Sequence, residues 1–435
     1  MFETLKNAFK VKDIRKKILI TIGFILLYRL GCFIPVPGVN QAGFASTIGG
    51  NDFLGIMSAI SGGALSQGTL FSMGIGPYIN ASIIIQLLTI GIPALERLSK
   101  QGEEGRKKIS QITRYVTLAL AIVQSIAILI AAGKGGIDTS IFGEKLAWLT
   151  YIFIVAIFVA GSALTMWIGE RMTDYGVGNG ITLLIFVGIL ATAGNALIAQ
   201  AAAIFGGDMK ALWALVAFLA AVIVIFAGIV TVDLAERKIP VQYAKQIKGR
   251  KMYGGQSTFI PIKVNSSGVL PLIFAFAITS LPSLIMGLFW PNTVNGFTIF
   301  WNTWLGTNGW LYPLILSVLI VFFAYFYAMI QFNPDDVAKN IQQYGGFVPG
   351  IRPGKPTGDH LRKISNRITL FGAIYLAFIA LVPSVIFRII GGANGIGLVN
   401  AFSTTGLLIV VSAALEFNQQ LESQLMMRHY KGFLK

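Results

Sequence analysis

Two histidines, His360 and His429, and one cysteine, Cys32, are the only imidazole and thiol groups in this chain. Both histidines lie in polar stretches and Cys32 lies in an apolar one, so no Cys/His cluster has the spacing of metal ligands. A single thiol makes no internal disulfide. Gly354-Lys355-Pro356-Thr357 looks like the end of a phosphate-binding loop, but Pro349 stands where the first glycine belongs and Pro356 replaces Ser/Thr. Gly176–Gly180 (Gly-Val-Gly-Asn-Gly) is glycine-rich but follows an apolar stretch rather than a strand, which makes it a tight turn. No nucleophile–base arrangement is visible. The expectation is a protein that is not an enzyme and carries no cofactor. Any work it does draws on another protein or a gradient.

The elements that surround these residues are written for lipid. Of the 435 residues, 55% are hydrophobic and 12% charged, about half the charge of a soluble protein. Ten apolar spans are expected, at 18–36, 70–92, 114–132, 149–167, 181–204, 211–231, 269–290, 310–331, 369–387 and 403–415. Away from their ends they hold no Asp, Glu or His and one basic residue, Arg29. Coupled transporters and proton relays need ionisable groups near the midplane. Arg29 lies within five residues of Ile34, and the expectation is that it snorkels to the outer interface.

Between the first and second spans lies a stretch too short to cross. Leu54–Leu65 is apolar and broken at Gly62-Gly63. Its twelve residues reach about 18 Å as a helix, against ~30 Å of hydrocarbon. Irregular backbone at membrane depth survives only within protein or water, so this segment is expected to re-enter a cavity.

The net charge is +16, and 29 of the 34 basic residues fall on one side of the expected spans, the side of both termini. That side is cytoplasmic by the positive-inside rule. Ten spans divide into five and five, and an odd number per half inverts the second half. Gly74–Pro77 and Gly268–Pro271 open corresponding spans. The fold expected is therefore an all-α polytopic membrane protein. Its ten transmembrane helices form two inverted halves, 18–204 and 211–415, around a central pore. A basic amphipathic segment at 1–17 lies on the cytoplasmic surface, and 416–435 forms a cytoplasmic tail.

Two cytoplasmic loops, 235–268 and 332–368, are far longer than orientation requires. The first carries Arg237, Lys238, Lys245, Lys248, Arg250, Lys251 and Lys263. The second carries Lys339, Arg352, Lys355, Arg362, Lys363 and Arg367. Long projecting basic loops suit docking of an acidic or RNA-containing partner.

Several strings go beyond pattern. Arg29-Leu30-Gly31, Ile34-Pro35-Val36-Pro37-Gly38, Ser61-Gly62-Gly63-Ala64-Leu65 and Gly76-Pro77-Tyr78-Ile79 resemble the SecY family. So do Gly105–Gln111, Gly178-Asn179-Gly180, Tyr243-Ala244-Lys245 and Phe347–Gly354. The likeness runs in order along nearly the whole chain. It implies the channel subunit of the bacterial protein-export translocon, in the cytoplasmic membrane. That channel moves unfolded secretory polypeptides outward and releases transmembrane segments sideways into lipid.

By resemblance, Ser61, Gly62, Gly63, Ala64 and Leu65 form the plug, and Ile75, Ile79, Ile185, Ile189, Ile273 and Ile409 the apolar pore ring. Asn80 and Gln124 line the lateral gate, and Arg352 is the tip residue that engages a motor or ribosome. Lys245, Arg250 and Lys251 in the first loop are expected to share the docking. The implied partners are SecE, SecG, the ATPase SecA or a ribosome, signal peptides and lipid, with no DNA. A small-solute transporter and a non-conducting membrane scaffold remain as rivals on the residues alone.

Overall fold

The structure, a computed structural model, describes all residues except 1, 50–56, 59, 134, 140–145, 208, 244–245, 249–250, 254–256, 266–267, 269, 290–295, 306–310, 391–403 and 433–435. Helices occupy each of the ten expected spans. After a short α1 (Phe2–Lys10) come α2 (Lys12–Gly31), α3 (Gln41–Gly49) and α4 (Gly76–Gly91). Next are α5 (Pro93–Ser99), α6 (Gly102–Ala132), α7 (Ala147–Tyr175), α8 (Gly180–Phe205) and α9 (Met209–Asp233). Beyond the first basic loop run α10 (Leu270–Phe289), the short α11 (Gly296–Phe300), α12 (Tyr312–Gln331), α13 (Pro334–Gln343), α14 (Lys355–Ile390) and α15 (Thr404–Gly432).

Among the described residues, five helices are long and apolar enough to cross a membrane alone, and the bent pair α4–α5 makes a sixth. Of the remaining helices, two carry polar residues at one end. Lysines crowd the start of α2, and polar residues fill the second half of α15.

The second span departs most from expectation. Its helix starts at Gly76, not near residue 70, and turns by 105° into α5. Pro77 in the first turn and Pro93 at the head of α5 mark both ends, where a missing N–H costs a helix nothing. Sixteen helical residues reach about 24 Å, so residues 61–75 are free to follow another path.

The molecule divides into two compact units interleaved in sequence. The first comprises Met1–Leu219, Ala277–Tyr312 and Phe387–Lys435. In it α4 packs along α6, α6 along α7, and α7 along α8. Arg114 grips Glu170 in a two-point ion pair, Nε to Oε1 at 2.9 Å and Nη2 to Oε2 at 2.8 Å, which pins α6 to α7. One face of the basic α1 rests on protein. Ala8 is buried with Val177 and Leu421, and Thr4 Oγ1 donates to Glu422 Oε1 of α15.

The second unit, Ala220–Phe276 and Pro313–Ile386, contains a feature that helical periodicity did not reveal. The first basic loop is a hairpin of strands, β1 (Glu236–Tyr243) against β4 (Ser257–Lys263), with a smaller one, β2 (Gln246–Lys248) against β3 (Lys251–Tyr253), within it. The second basic loop adds β5 (Gly346–Phe347) to the free edge of β1, pairing Gln242 with Phe347 and Tyr243 with Gly346. The period-two signal is present in Ile239-Pro240-Val241 and Ile260-Pro261-Ile262, with the prolines on the outward positions.

Ile239, Val241, Ile262, Ile341, Val348 and Leu361 close a core beneath this sheet, so the two loops form one small folded body. Leu361 is fully buried there, and Leu361→Ala is expected to cost about 2–5 kcal/mol of that body's stability. Faster proteolytic nicking within 235–268 is the readout, and unchanged nicking refutes the shared core.

Candidate functional site

The chain between Met57 and Ile75 is neither span nor surface loop. After the helical residues Met57, Ser58 and Ile60 it runs through turns to α4. Ser61, Ala64, Leu65, Thr69, Phe71, Ser72, Met73 and Ile75 are all buried. Leu65 and Met73 sit in a core with Val36, Phe44, Ile128, Leu129, Ile154 and Phe158. The surroundings are protein, as non-helical backbone at depth requires.

Its polar groups are satisfied from within. Gly63 N–H donates to Ser58 O at 2.8 Å. The Ser61 hydroxyl donates to Ser58 O at 3.0 Å and accepts from Leu65 N–H at 3.2 Å. The hydroxyls of Thr69 and Ser72 each donate to Ala64 O at 3.2 Å. Side-chain hydroxyls here replace the ladder that a helix would have supplied. The exit is tied to the end of the first span: Val36 N–H donates to Gly68 O and Leu70 N–H to Ile34 O.

Glycines set the position of the turn. Gly62 and Gly63 have φ of +71° and +85°, a left-handed backbone that glycine adopts without strain. Gly188 of α8 lies against Gly62. A Cβ built on Gly188 falls 2.1 Å from Ile60 O and 3.3 Å from Gly62 N. The segment thus seats on bare backbone at Gly188, which follows Ile185 and precedes Ile189 on the same helix. Those two isoleucines, four residues apart, share one helical face, and both are buried.

The other expected ring positions fall as follows. Ile75 is buried just before α4, and its side chain approaches Gly169 of α7. Ile79 is half-buried one turn further along α4. Ile409 is buried on α15, which packs against α8. These five lie in the first compact unit. Ile273 is half-buried on α10 in the second.

Of the two expected gate residues, Asn80 is half-buried on α4. Gln124 is buried on the neighbouring α6, and its Oε1 has no hydrogen-bond partner among the described residues. Arg352 is exposed on a turn braced by the Thr357 hydroxyl, which donates to Arg352 O at 2.8 Å. Lys245 and Arg250 lie outside the described residues, and Lys251 is described only as backbone of β3.

Arg29 is partly exposed near the end of α2, and its Nη1 is buried next to Gly62. The Phe33 ring lies under the guanidinium, its centroid 5.4 Å from the guanidinium carbon, a cation–π contact. Gly188 was missed altogether. Its signal is a small residue framed by Ile185 and Ile189, legible only once something is known to rest there.

A family model described as SecY matches residues 69–418. The chain belongs to the SecY family. The protein translocase subunit SecY of Streptomyces griseus is 43% identical over 452 residues, and that of Mycobacterium tuberculosis (strain ATCC 25618 / H37Rv) 41% identical over 459, each alignment covering 100% of both chains. Among solved structures the chain is similar to one titled as a protein conducting channel, with a TM-score of 0.66 and 20% identity, covering 94% of this chain and 92% of that one. It is also similar to Sec61 in the canine ribosome-channel complex, with a TM-score of 0.63 and 18% identity over the same shares. At such identities the structural likeness shows the fold. The ten-span, all-helical membrane layout is thus that of the SecY family, a family of channel subunits and not of catalysts.

Proposed function

We propose that this chain is the conducting subunit of a protein translocase. It passes unfolded secretory polypeptides across the cytoplasmic membrane and releases transmembrane segments sideways into lipid. The observation that carries this reading is the seat of Ile60 and Gly62 on Gly188 of α8, the helix that also carries the buried Ile185 and Ile189. A buried, internally hydrogen-bonded segment resting on bare backbone is a stopper that can leave without unfolding a span. An apolar ring dewets and resists ions, yet it closes around an extended chain. In this reading Ile75, Ile79, Ile185, Ile189, Ile273 and Ile409 form that ring, and Ser61–Leu65 the plug.

Asn80 and Gln124 belong to the sideways exit. The unpaired Oε1 of Gln124 supports this, because a buried carbonyl without a donor is a contact awaiting rearrangement. Both termini lie in the cytoplasm, as the basic residues dictate. SecE and SecG complete the complex on this reading. SecA or a ribosome docks on the folded body made by the two basic loops, and signal peptides enter from the same side.

Arg352→Glu tests the docking face. The residue is exposed, so the substitution is expected to leave thermal unfolding within about 0.5 kcal/mol. Export driven by SecA or insertion from ribosomes should fall about tenfold or more, in line with the cost of opposing charges at an interface. Undiminished export and insertion refute the assignment.

A further inference from the structure

One guanidinium nitrogen, the buried Arg29 Nη1, faces the plug without a hydrogen-bond partner among the described residues. A Cβ built on Gly62 stands 2.5 Å from it and 3.2 Å from both Cα and O of Gly188. The Gly62 turn is therefore caught between the guanidinium of α2 and the backbone of α8. The Phe33 ring, itself exposed, closes the outer side of the guanidinium. A charged donor atom shut away from water without an acceptor loses part of the hydration of its group, and an apolar group of the same shape avoids that loss.

We propose that Arg29 makes the seated plug deliberately less stable and so sets how readily the channel opens. With the plug seated, Nη1 is shut in against Gly62. With the plug gone, the space that Gly62 filled opens and the guanidinium regains water or a carbonyl. This is the reverse of a latch. It rests on the reading of Ser61–Leu65 as the plug, and it predicts the sign of a substitution. Arg29→Met keeps the length and removes the charge, so it favours the closed channel. Arg29→Gln acts in the same direction, whereas Arg29→Lys retains the charge on a more strongly hydrated head.

The test uses the complete channel with its partner subunits in proteoliposomes. Ser61 is 3% exposed, so a thiol placed there by Ser61→Cys, with Cys32→Ser removing the native one, reacts with a charged maleimide only while the plug is away. The labelling rate then follows the released population. Arg29→Met is expected to slow labelling about five- to thirtyfold, the factor that one or two kcal/mol gives. Arg29→Gln should slow it as well, and Arg29→Lys should label faster than either. Unchanged or faster labelling in both neutral variants overturns the proposal, and faster labelling makes Arg29 a latch instead.

A second arm separates this proposal from the plug itself. Cys32 Sγ lies 4.0 Å from Ser61 O, so Ser61→Cys beside native Cys32 allows an oxidative tether. If the tethered channel exports as well as the reduced one, the plug reading fails. If the tether stops export while the neutral variants label like the parent, only the role of Arg29 fails.

Discussion

Gly188→Val is expected to unseat the plug and leave the resting channel open to ions. A Cβ at this position falls 2.1 Å from Ile60 O and 3.3 Å from Gly62 N. The obstacle on each side is backbone, so no rotamer relieves it. Overpacking of this kind costs about 1–3 kcal/mol. The cost falls on the seated state alone, because an empty seat has room for a side chain. A penalty of that size shifts the seated population about 5–150-fold. Collapse of a potassium diffusion potential in proteoliposomes reads the leak directly. Gly194→Ala on the same helix is the control, since nothing lies within 4 Å of its Cβ position. A sealed Gly188→Val channel that still exports would show that closure lies elsewhere.

The ring gives the second large effect. Glycine at both Ile185 and Ile189 is expected to raise the ion conductance of the resting channel well above that of either single change. Each side chain buries nearly all its surface, and together they supply one apolar face beside the seat. Removing both widens the constriction and admits water, after which ions follow. Aspartate at either position should do the same by hydrating the passage.

The pair also distinguishes ring from core. Truncating two packed core isoleucines would cost about 4–10 kcal/mol and unfold the helix bundle. Truncating two residues that line a passage should cost far less. Single-channel recording together with thermal unfolding in detergent separates the cases. Unchanged conductance with lost stability would make Ile185 and Ile189 ordinary core residues.

The residues differ in how far they could be read from the chain. The spans were legible, because a bilayer imposes one length on every crossing segment. The break at Gly62-Gly63 was legible too, since twelve apolar residues do not span. The second span was misjudged at its start. Hydropathy does not distinguish Thr69–Ile75 in turns from the same residues in a helix, and only Pro77 marked the true beginning. The strands in the basic loop escaped because their alternation is short and interrupted by Pro240 and Pro261.

By itself the sequence determined that this protein lives in lipid and that one apolar stretch, Leu54–Leu65, is too short to span it. Each follows from transfer energies that act residue by residue. The tertiary structure alone decided that Gly188 meets the backbone of Ile60 and Gly62, that Arg29 Nη1 lies against Gly62, and that two distant loops share one sheet. Those are close approaches between segments far apart in sequence. They depend on the absence of a Cβ, or on the lack of a partner, at one point in space, and no periodicity along the chain records either.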